Sequence, residues 1–375
     1  MKRIILRLLG SVALPLLVAF SGLAQMNPNP TLKIGDPAPP LKFQTWISGQ
    51  PVTAFKKGQV YVVDFWATWC GGCIASFRHI SDVADKYKDK VHFISVDSYE
   101  DVDEEMKGKD PEPIVKDFLK TPRGQKLKLN VAVDGATNTM FATWVKVLRR
   151  GGFPTTFVID QEGKIAWVDV NLDHLDWVLG QVLAKKWDRA KAAEIMKQKD
   201  ALEDMWITTV RKKDGDKTKD LQAVVAASET FEKQFPDRKD AVAFYKFFAL
   251  LELDVNKITP VLEQMANDPR SRYINLSDAA GLTLRKPNLS RETYLAVAKV
   301  EERVLSNEYP EMGYGGTTVR NYQELADTYQ KAGDPVKALD YTEKALELAQ
   351  QQQFPREVID KLYANFQKLR QVNAP

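Results

Sequence analysis

The pattern of apolar and polar positions is most regular in a strand–helix–strand unit. Residues 60–65 and 91–96 are runs of β-branched and aromatic side chains with the length of buried strands. Between them, from Cys73 to about Tyr87, apolar side chains recur at helical spacing along one face. Two strands joined by a helix in this way pair in parallel through a right-handed crossover. The sequence therefore predicts a βαβ unit.

The rest of the first half predicts a sheet completed by further strands. Strands are expected at residues 130–134, 155–160 and 165–170, and helices at residues 139–148 and 172–185. The last two strands form a predicted hairpin, because a polar turn separates them. The polar segment 97–126 contains three prolines, and we expect it to hold short helices and to form one wall of a groove.

The second half of the chain shows only helical spacing. Residues 322–345 carry aromatic and small side chains at the offsets of a tetratricopeptide repeat, which is a helix–turn–helix unit. One match does not define an array, since stacking needs about three units. Residues 221–253 are a candidate for a degenerate second copy. We predict a domain of stacked, TPR-like helical hairpins over residues 186–375.

The N-terminal residues have the pattern of a signal peptide. Three basic side chains precede an apolar run at residues 8–20, and small residues follow at 21–24, which favours cleavage after Ala24. The run is shorter than the roughly 20 residues that span a bilayer. We expect an exported, periplasmic protein, or a membrane-tethered one if the signal is retained. A lipid anchor is disfavoured because no cysteine lies near the cleavage site.

Length and composition indicate a folded protein of more than one domain. The chain has 375 residues, of which 44% are hydrophobic and 27% charged. The formal net charge is only +3, so neither nucleic acid nor an anionic surface is indicated as a partner. The predicted divisions are a signal peptide at 1–24, a linker at 25–34, an α/β domain at 35–185 and the helical domain at 186–375.

The chain contains only two cysteines, Cys70 and Cys73. A bridge that closes so short a loop adds little stability, so the pair is better interpreted as a reactive couple. A thiol attacks a disulfide only as its thiolate, and a helix N-terminus lowers the thiol pKa from about 8.5 to roughly 3.5–7.5. We therefore predict Cys70 as the nucleophile and Cys73, one turn further in, as the resolving thiol.

Half of a zinc site has the same spacing and is an alternative. Tetrahedral zinc needs two more ligands. His79 and His92 could contribute, but they belong to no metal-binding motif. We therefore expect neither a metal nor a cofactor.

The context of the pair resembles a known family. Residues 63–73 are similar to the active-site strand and turn of the thioredoxin superfamily. Residues 35–39, the insertion after the second strand, and residues 152–160 resemble its exported TlpA/ResA-like branch. The resemblance covers about residues 31–185. It implies an α/β thioredoxin fold, with a central mixed sheet flanked by helices, that precedes the all-α domain.

The resemblance also implies roles for other residues. An unpaired carboxylate inside an apolar strand is costly, and the family uses a buried acid at the position of Asp64 to move protons to and from the resolving thiol. The alternative is a solvated aspartate at the strand end. Pro154 corresponds to the family's cis-proline. The expected substrate-binding residues are Trp69, Gly71, Gly72, Phe153 and Thr155. Trp66 is expected to serve packing.

The sequence departs from the family pattern around Cys73. Gly71 and Gly72 replace a pair that usually ends in proline, and the loss of that proline loosens the helix start. Arg78 stands where the helix usually has a kinking proline, and Ser76 replaces a frequent acidic residue. The reduction potential, and a reducing role in cytochrome maturation, are therefore not transferred to this chain.

Three functional hypotheses remain open at this stage. The leading one is a periplasmic enzyme that exchanges disulfides with client proteins and is reset by a redox partner. A thiol peroxidase is less favoured. In the peroxidase motif a threonine lies three residues before the reactive cysteine, whereas Thr68 lies two residues before Cys70. The third is a scaffold or chaperone-like protein, whose helical domain binds a peptide or protein and whose redox domain is accessory.

Overall fold

The structure is a computed structural model that describes residues 30–102, 107–149, 151–169, 172, 174–307 and 318–372. The predicted signal peptide and the first half of the predicted linker, residues 25–29, lie outside the described residues. Within the part described, no helix combines the length and the apolar character needed to cross a membrane.

The first half forms a six-stranded mixed sheet within the described residues, in the order β1-β4-β3-β2-β5-β6. Its strands are β1 Thr45–Ser48, β2 Val60–Trp66, β3 Val91–Asp97, β4 Asn130–Val133, β5 Thr155–Ile159 and β6 Ile165–Asp169. β2, β3 and β4 run parallel, whereas β1, β5 and β6 pair antiparallel to their neighbours. Both the predicted βαβ unit and the predicted hairpin are confirmed.

Each face of the sheet has its own apolar core. The helices of this half are α1 Gly71–Tyr87, α2 Glu112–Lys120 and α3 Leu175–Leu183. Successive side chains of a strand point to opposite faces. Val62 and Trp66 therefore pack with the core under α1 and α3, whereas Val63 and Phe65 pack with the opposite core around Trp144. β2 is buried along its whole length.

The second half is helical throughout its described residues. Its helices are α4 Arg189–Arg211, α5 Thr218–Gln234, α6 Asp240–Leu253, α7 Thr259–Asn267, α8 Tyr273–Thr283, α9 Arg291–Leu305, α10 Val319–Lys331, α11 Pro335–Gln351 and α12 Arg356–Val372. Sequential helices pack as pairs, notably α5 with α6 and α10 with α11. The all-α prediction is confirmed. The assignment to the tetratricopeptide class remains a prediction.

The helix predicted at residues 139–148 is present but ends earlier than predicted. A single π-helical turn, Phe141–Val145, occupies it. The Asp134 carboxylate accepts hydrogen bonds from the main-chain amides of Met140 and Phe141, at 2.7 and 2.8 Å, and so holds the start of the turn. The Lys146 amide then bonds to the Phe141 carbonyl, five residues back.

Two other elements differ from the predictions. α3 is shorter at both ends than the predicted helix over residues 172–185. β1 was not predicted at all, because it has only four residues and is half-buried at an edge of the sheet. Its register also shifts between Trp46 and Ser48, so it lacks the regular alternation of a long strand.

The two halves share a junction at the predicted boundary. The indole of Trp187 donates to the Ala166 carbonyl of β6 at 2.8 Å. Trp177 of α3 packs edge-on against Trp187, at 5.5 Å between ring centroids. The guanidinium groups of Arg238 and Arg270, from the helical half, lie 5.4 and 5.8 Å from the Trp177 ring. The helical half is therefore packed directly onto the sheet domain.

Candidate active site

The two cysteines form a disulfide at the start of α1. The S–S distance is 2.08 Å. Cys70 is the N-cap residue, and its Sγ accepts a hydrogen bond from the Cys73 amide at 3.2 Å. Cys70 is 6% exposed and Cys73 1%, while Gly71 and Gly72 between them are exposed. The first sulfur thus lies where unpaired helix amides favour negative charge, and the second lies deeper.

Pro154 lies beside the disulfide. The Phe153–Pro154 peptide bond is cis, as the resemblance implied. A Cβ atom added to Gly72 would lie 3.8 Å from Cδ of Pro154, so the helix start and the proline are neighbours. The Thr155 hydroxyl donates to the Gly152 carbonyl at 2.6 Å and fixes the turn before β5.

Asp64 is a buried carboxylic acid in the middle of β2. Its side chain lies on the same face of the strand as Val62 and Trp66, which pack in the core that contains Cys73. Its Oδ1 accepts a hydrogen bond from the Thr156 hydroxyl at 2.5 Å. Burial raises the Asp64 pKa to about 7, although that hydrogen bond opposes the rise. The alternative of a solvated aspartate is therefore wrong.

An aromatic cluster, defined as Trp69, Tyr99, Phe141 and Phe153, borders the cysteines. Trp69 is 46% exposed, and its indole donates to the Tyr99 carbonyl at 3.0 Å. Ring centroids are 5.8 Å apart for Trp69–Phe153, 5.4 Å for Phe153–Phe141 and 4.6 Å for Phe141–Tyr99. Tyr99 and Phe141 were missed by the sequence interpretation, which had proposed only that residues 97–126 form a groove wall.

Glu100 is a second residue that the sequence interpretation missed. Its two carboxylate oxygens accept hydrogen bonds from the main-chain amide of Thr68, at 2.5 Å, and from the Thr68 hydroxyl, at 2.7 Å. Thr68 precedes Trp69 and Cys70, so this carboxylate contacts the loop that carries the nucleophile.

Trp66, Ser76 and His92 make packing or hydrogen-bonding contacts within the fold. Trp66 is fully buried and packs edge-on against Phe77, which confirms its packing role. The Ser76 hydroxyl donates to the Cys73 carbonyl within the helix at 2.7 Å. His92 stacks on Tyr61, on β2, at 5.0 Å between ring centroids. Among the described residues, no group of three or more His, Cys, Asp or Glu side chains is arranged to hold a metal ion.

Comparison with known proteins identifies the family. The family model described as Redoxin matches residues 33–176. Protein FixW of Rhizobium leguminosarum is 30% identical over 173 residues, which cover 46% of this chain and 75% of FixW. The chain belongs to the redoxin family of the thioredoxin superfamily, on its TlpA/ResA-like branch.

Other comparisons cover the same part of this redoxin. The thiol-disulfide oxidoreductase ResA of Bacillus cereus is 33% identical over 110 residues, which are 29% of this chain and 53% of ResA, so the match spans about half of that relative. A solved structure of a putative protein disulfide isomerase from Bacteroides thetaiotaomicron is 26% identical and covers 42% of this chain and 93% of its own, with a TM-score of 0.34.

Family membership confirms the class of chemistry. The redoxin domain is an oxidoreductase that acts on thiols and disulfides, and thiol or disulfide substrates and redox partners follow from that class. The fold of the first half is the predicted thioredoxin fold.

Proposed function

We propose that this redoxin exchanges disulfides with exported client proteins through Cys70 and Cys73. The observation that carries the proposal is the position of the pair: a disulfide with its first sulfur at the N-terminus of α1, exposed glycines between the sulfurs and Pro154 beside them. A helix N-terminus stabilises a thiolate, which is the species that attacks a disulfide.

In the reducing direction, the Cys70 thiolate attacks one sulfur of a client disulfide. A bond forms between the Cys70 sulfur and that sulfur, and the other client sulfur leaves as a thiolate. The Cys73 thiol then loses its proton and attacks the Cys70 sulfur. The Cys70–Cys73 disulfide forms, the client is released as a dithiol, and two electrons have passed to it. Oxidation of a client is the reverse sequence.

Asp64 is proposed to hold the proton that Cys73 loses. A general base works best when its pKa is close to the operating pH, and the Asp64 pKa of about 7 meets that condition. The carboxyl group lies on the strand face that packs in the core with Cys73. The Thr156 hydrogen bond keeps it oriented in both protonation states.

Clients are proposed to bind as extended segments beside Pro154. Phe153 offers its main chain next to the disulfide, and the exposed Trp69 and glycines 71 and 72 supply the adjacent surface. Export is proposed from the signal-like pattern of residues 1–24. The helical half is proposed to restrict which clients approach.

A trapping experiment tests the mechanism. Because the chain has only two cysteines, the Cys73→Ala variant leaves Cys70 as the sole thiol. We expect this variant to accumulate a mixed disulfide with a disulfide-bonded peptide, detected as an adduct by mass spectrometry. The matched Cys70→Ala variant should form far less adduct, since Cys73 is buried.

The wild-type couple must also cycle between its two forms with dithiothreitol and an oxidised client peptide. A couple that does not cycle, or equal adduct formation by the two variants, would contradict the proposal. Turnover of hydrogen peroxide faster than that of disulfides would instead favour the peroxidase alternative.

A further inference from the structure

The loop that carries the nucleophile is held by the segment after β3. Three contacts join residues 66–69 to residues 98–100. The Ser98 amide donates to the Trp66 carbonyl at 2.9 Å, the Trp69 indole donates to the Tyr99 carbonyl, and Thr68 donates two hydrogen bonds to Glu100. The Glu100 contact is the only two-point contact of the three. It is also formed by a side chain, so substitution can test it.

Thr68 lies inside the turn that sets the position of Cys70. The Cys70 amide donates to the Ala67 carbonyl at 3.0 Å, which closes a turn over residues 67–70. The same turn places Cys70 at the N-cap, where its sulfur accepts from the Cys73 amide. Fixing both the main chain and the side chain of Thr68 therefore fixes the orientation of the nucleophile.

The Glu100 carboxylate is itself held in a buried site. Glu100 is 7% exposed and the neighbouring Asp97 is fully buried. No donor among the described residues reaches either oxygen of Asp97. Burial raises the pKa of Asp97 well above its ordinary value, and the adjacent Glu100 and the charge of Asp134 raise it further.

The Asp134 carboxylate accepts hydrogen bonds from groups other than Thr68. It accepts from the Ser98 hydroxyl at 3.0 Å, as well as from the amides of Met140 and Phe141. Of these three acids, only Glu100 contacts the nucleophile loop among the described hydrogen bonds.

We propose that Glu100 is a positioning residue for disulfide exchange: its buried carboxylate holds the amide and the hydroxyl of Thr68 and thereby keeps Cys70 at the N-terminus of α1. The inference rests on the function proposed above, since it assigns Glu100 a role in that reaction. Glu100 touches neither sulfur in the described contacts, so it acts through Thr68.

The test compares Glu100→Leu with Glu100→Gln in the Cys73→Ala background, where Cys70 is the sole thiol. Both substitutions remove the carboxyl group. Only glutamine keeps an oxygen for the Thr68 amide and a polar partner for its hydroxyl. The readout is the rate of Cys70 alkylation by iodoacetamide as a function of pH, which gives the thiol pKa. Asp117→Asn, which removes a largely exposed carboxylate from α2, is the control.

We expect Glu100→Leu to slow alkylation at pH 7 by about tenfold relative to Glu100→Gln, the order expected for the loss of the two hydrogen bonds with Thr68, and to raise the Cys70 pKa. The glutamine variant and the control should stay within about twofold of the parent. A leucine variant that is alkylated as fast as the parent would overturn the proposal. A glutamine variant as slow as the leucine variant would show that the hydrogen bonds to Thr68 do not position Cys70, which also overturns it.

Two substitutions at Thr68 keep the test decisive if Glu100→Leu does not fold. Thr68→Val removes the hydroxyl contact, whereas Thr68→Ser retains it. We expect Thr68→Val to slow alkylation by about threefold, the scale of one hydrogen bond, and Thr68→Ser to restore the rate. Equal rates for these two variants overturn the proposal. If the wild-type couple fails to cycle while these differences persist, the proposed function fails, whereas the placement of Cys70 through Glu100 and Thr68 still holds.

Discussion

At the scale of single residues, the site contains a carboxylic acid that folding has to bury. Asp64 lies in a strand with no exposed position, and burial is the main cause of its raised pKa. A group with that pKa is partly protonated at neutral pH, which suits a proton carrier. The same property makes the folded state bind a proton that the unfolded state releases. Burial of Asp64 thus gives it a pKa suited to proton transfer and lowers the free energy of unfolding at neutral pH.

Because the Asp64 pKa differs between the folded and unfolded states, we expect the free energy of unfolding to depend on pH. The Asp64 pKa is about 7 in the folded protein, against an ordinary aspartate pKa of 3.8. Stability from this group is therefore full below pH 4 and is lost as the pH rises to 7, by up to about 4 kcal/mol. We expect Asp64→Asn to flatten this decline. Urea denaturation of the wild-type protein and the variant at pH 5 and pH 8 measures the change in the free energy of unfolding.

The Asp64→Asn variant should also exchange disulfides more slowly, because asparagine cannot accept the Cys73 proton. Asp117→Asn is the matched control for both measurements, since that carboxylate is exposed. A wild-type protein and an Asp64→Asn variant that lose the same stability between pH 5 and pH 8 would show that Asp64 is not the titrating group.

The sequence located some site residues and could not locate others, for a physical reason. Cys70, Cys73 and Asp64 lie in one strand–turn–helix segment, so local pattern and resemblance suffice to find them. Glu100 reaches Thr68 across 32 positions of sequence, and Tyr99 reaches Phe141 through an irregular segment. Such contacts depend on the conformation of a loop, which side-chain periodicity does not encode.

At the scale of elements, the start of α1 contains two glycines that its backbone conformation does not require. Neither Gly71 nor Gly72 has a positive φ, and an added Cβ meets nothing within 4 Å at Gly71 and only ordinary contact at Gly72. Glycine in a helix costs about 0.5–1 kcal/mol relative to alanine. Neither a left-handed backbone nor a steric clash therefore explains these two glycines.

We therefore expect Gly72→Ala to raise the free energy of unfolding of the oxidised protein by about 0.5–1 kcal/mol. Gly124→Ala should have the opposite effect, by about 1–3 kcal/mol, because its Cβ would overlap the main chain of Phe118 and Leu119. Guanidinium denaturation compares the two. Destabilisation by Gly72→Ala would mean that the helix start has a conformational requirement beyond these contacts.

The elements that were predicted incorrectly are those controlled by tertiary contacts. β1 is a short edge strand that exists because β4 offers it hydrogen bonds. The π-helical turn is started by the Asp134 carboxylate, which lies outside the predicted helix. Long apolar runs such as β2 and β3, in contrast, were found within one residue of their observed ends.

At the scale of the molecule, charged and aromatic contacts join the two halves. Arg189 of α4 pairs with Asp160 and Glu162 beside the β5–β6 hairpin. The His174 imidazole lies 2.7 Å from the Arg270 carbonyl. Trp177 lies against both Arg238 and Arg270. These contacts come from several elements on each side, so the halves should unfold together.

Removal of Trp177 should weaken this coupling. We expect Trp177→Ala to reduce stability by about 2–3 kcal/mol and to separate one cooperative unfolding transition into two, followed by circular dichroism at two wavelengths. Tyr363→Ala, at a side chain 52% exposed on α12, is the control and should leave a single transition. A single transition at a lower stability for Trp177→Ala would show that the other contacts are sufficient to make the two halves unfold together.

The predicted division at residues 185 and 186 has a consequence for the edge of the sheet. β6 is an edge strand, and α4 and the Trp187 indole lie against it. An uncovered edge presents unpaired main-chain groups that can recruit a strand from another molecule. Residues 35–38 also pair with the start of β6. A fragment that ends at residue 185 would keep that pairing but lose the cover by α4 and Trp187, and should self-associate. We therefore expect the helices to protect the edge of the redox sheet from aggregation.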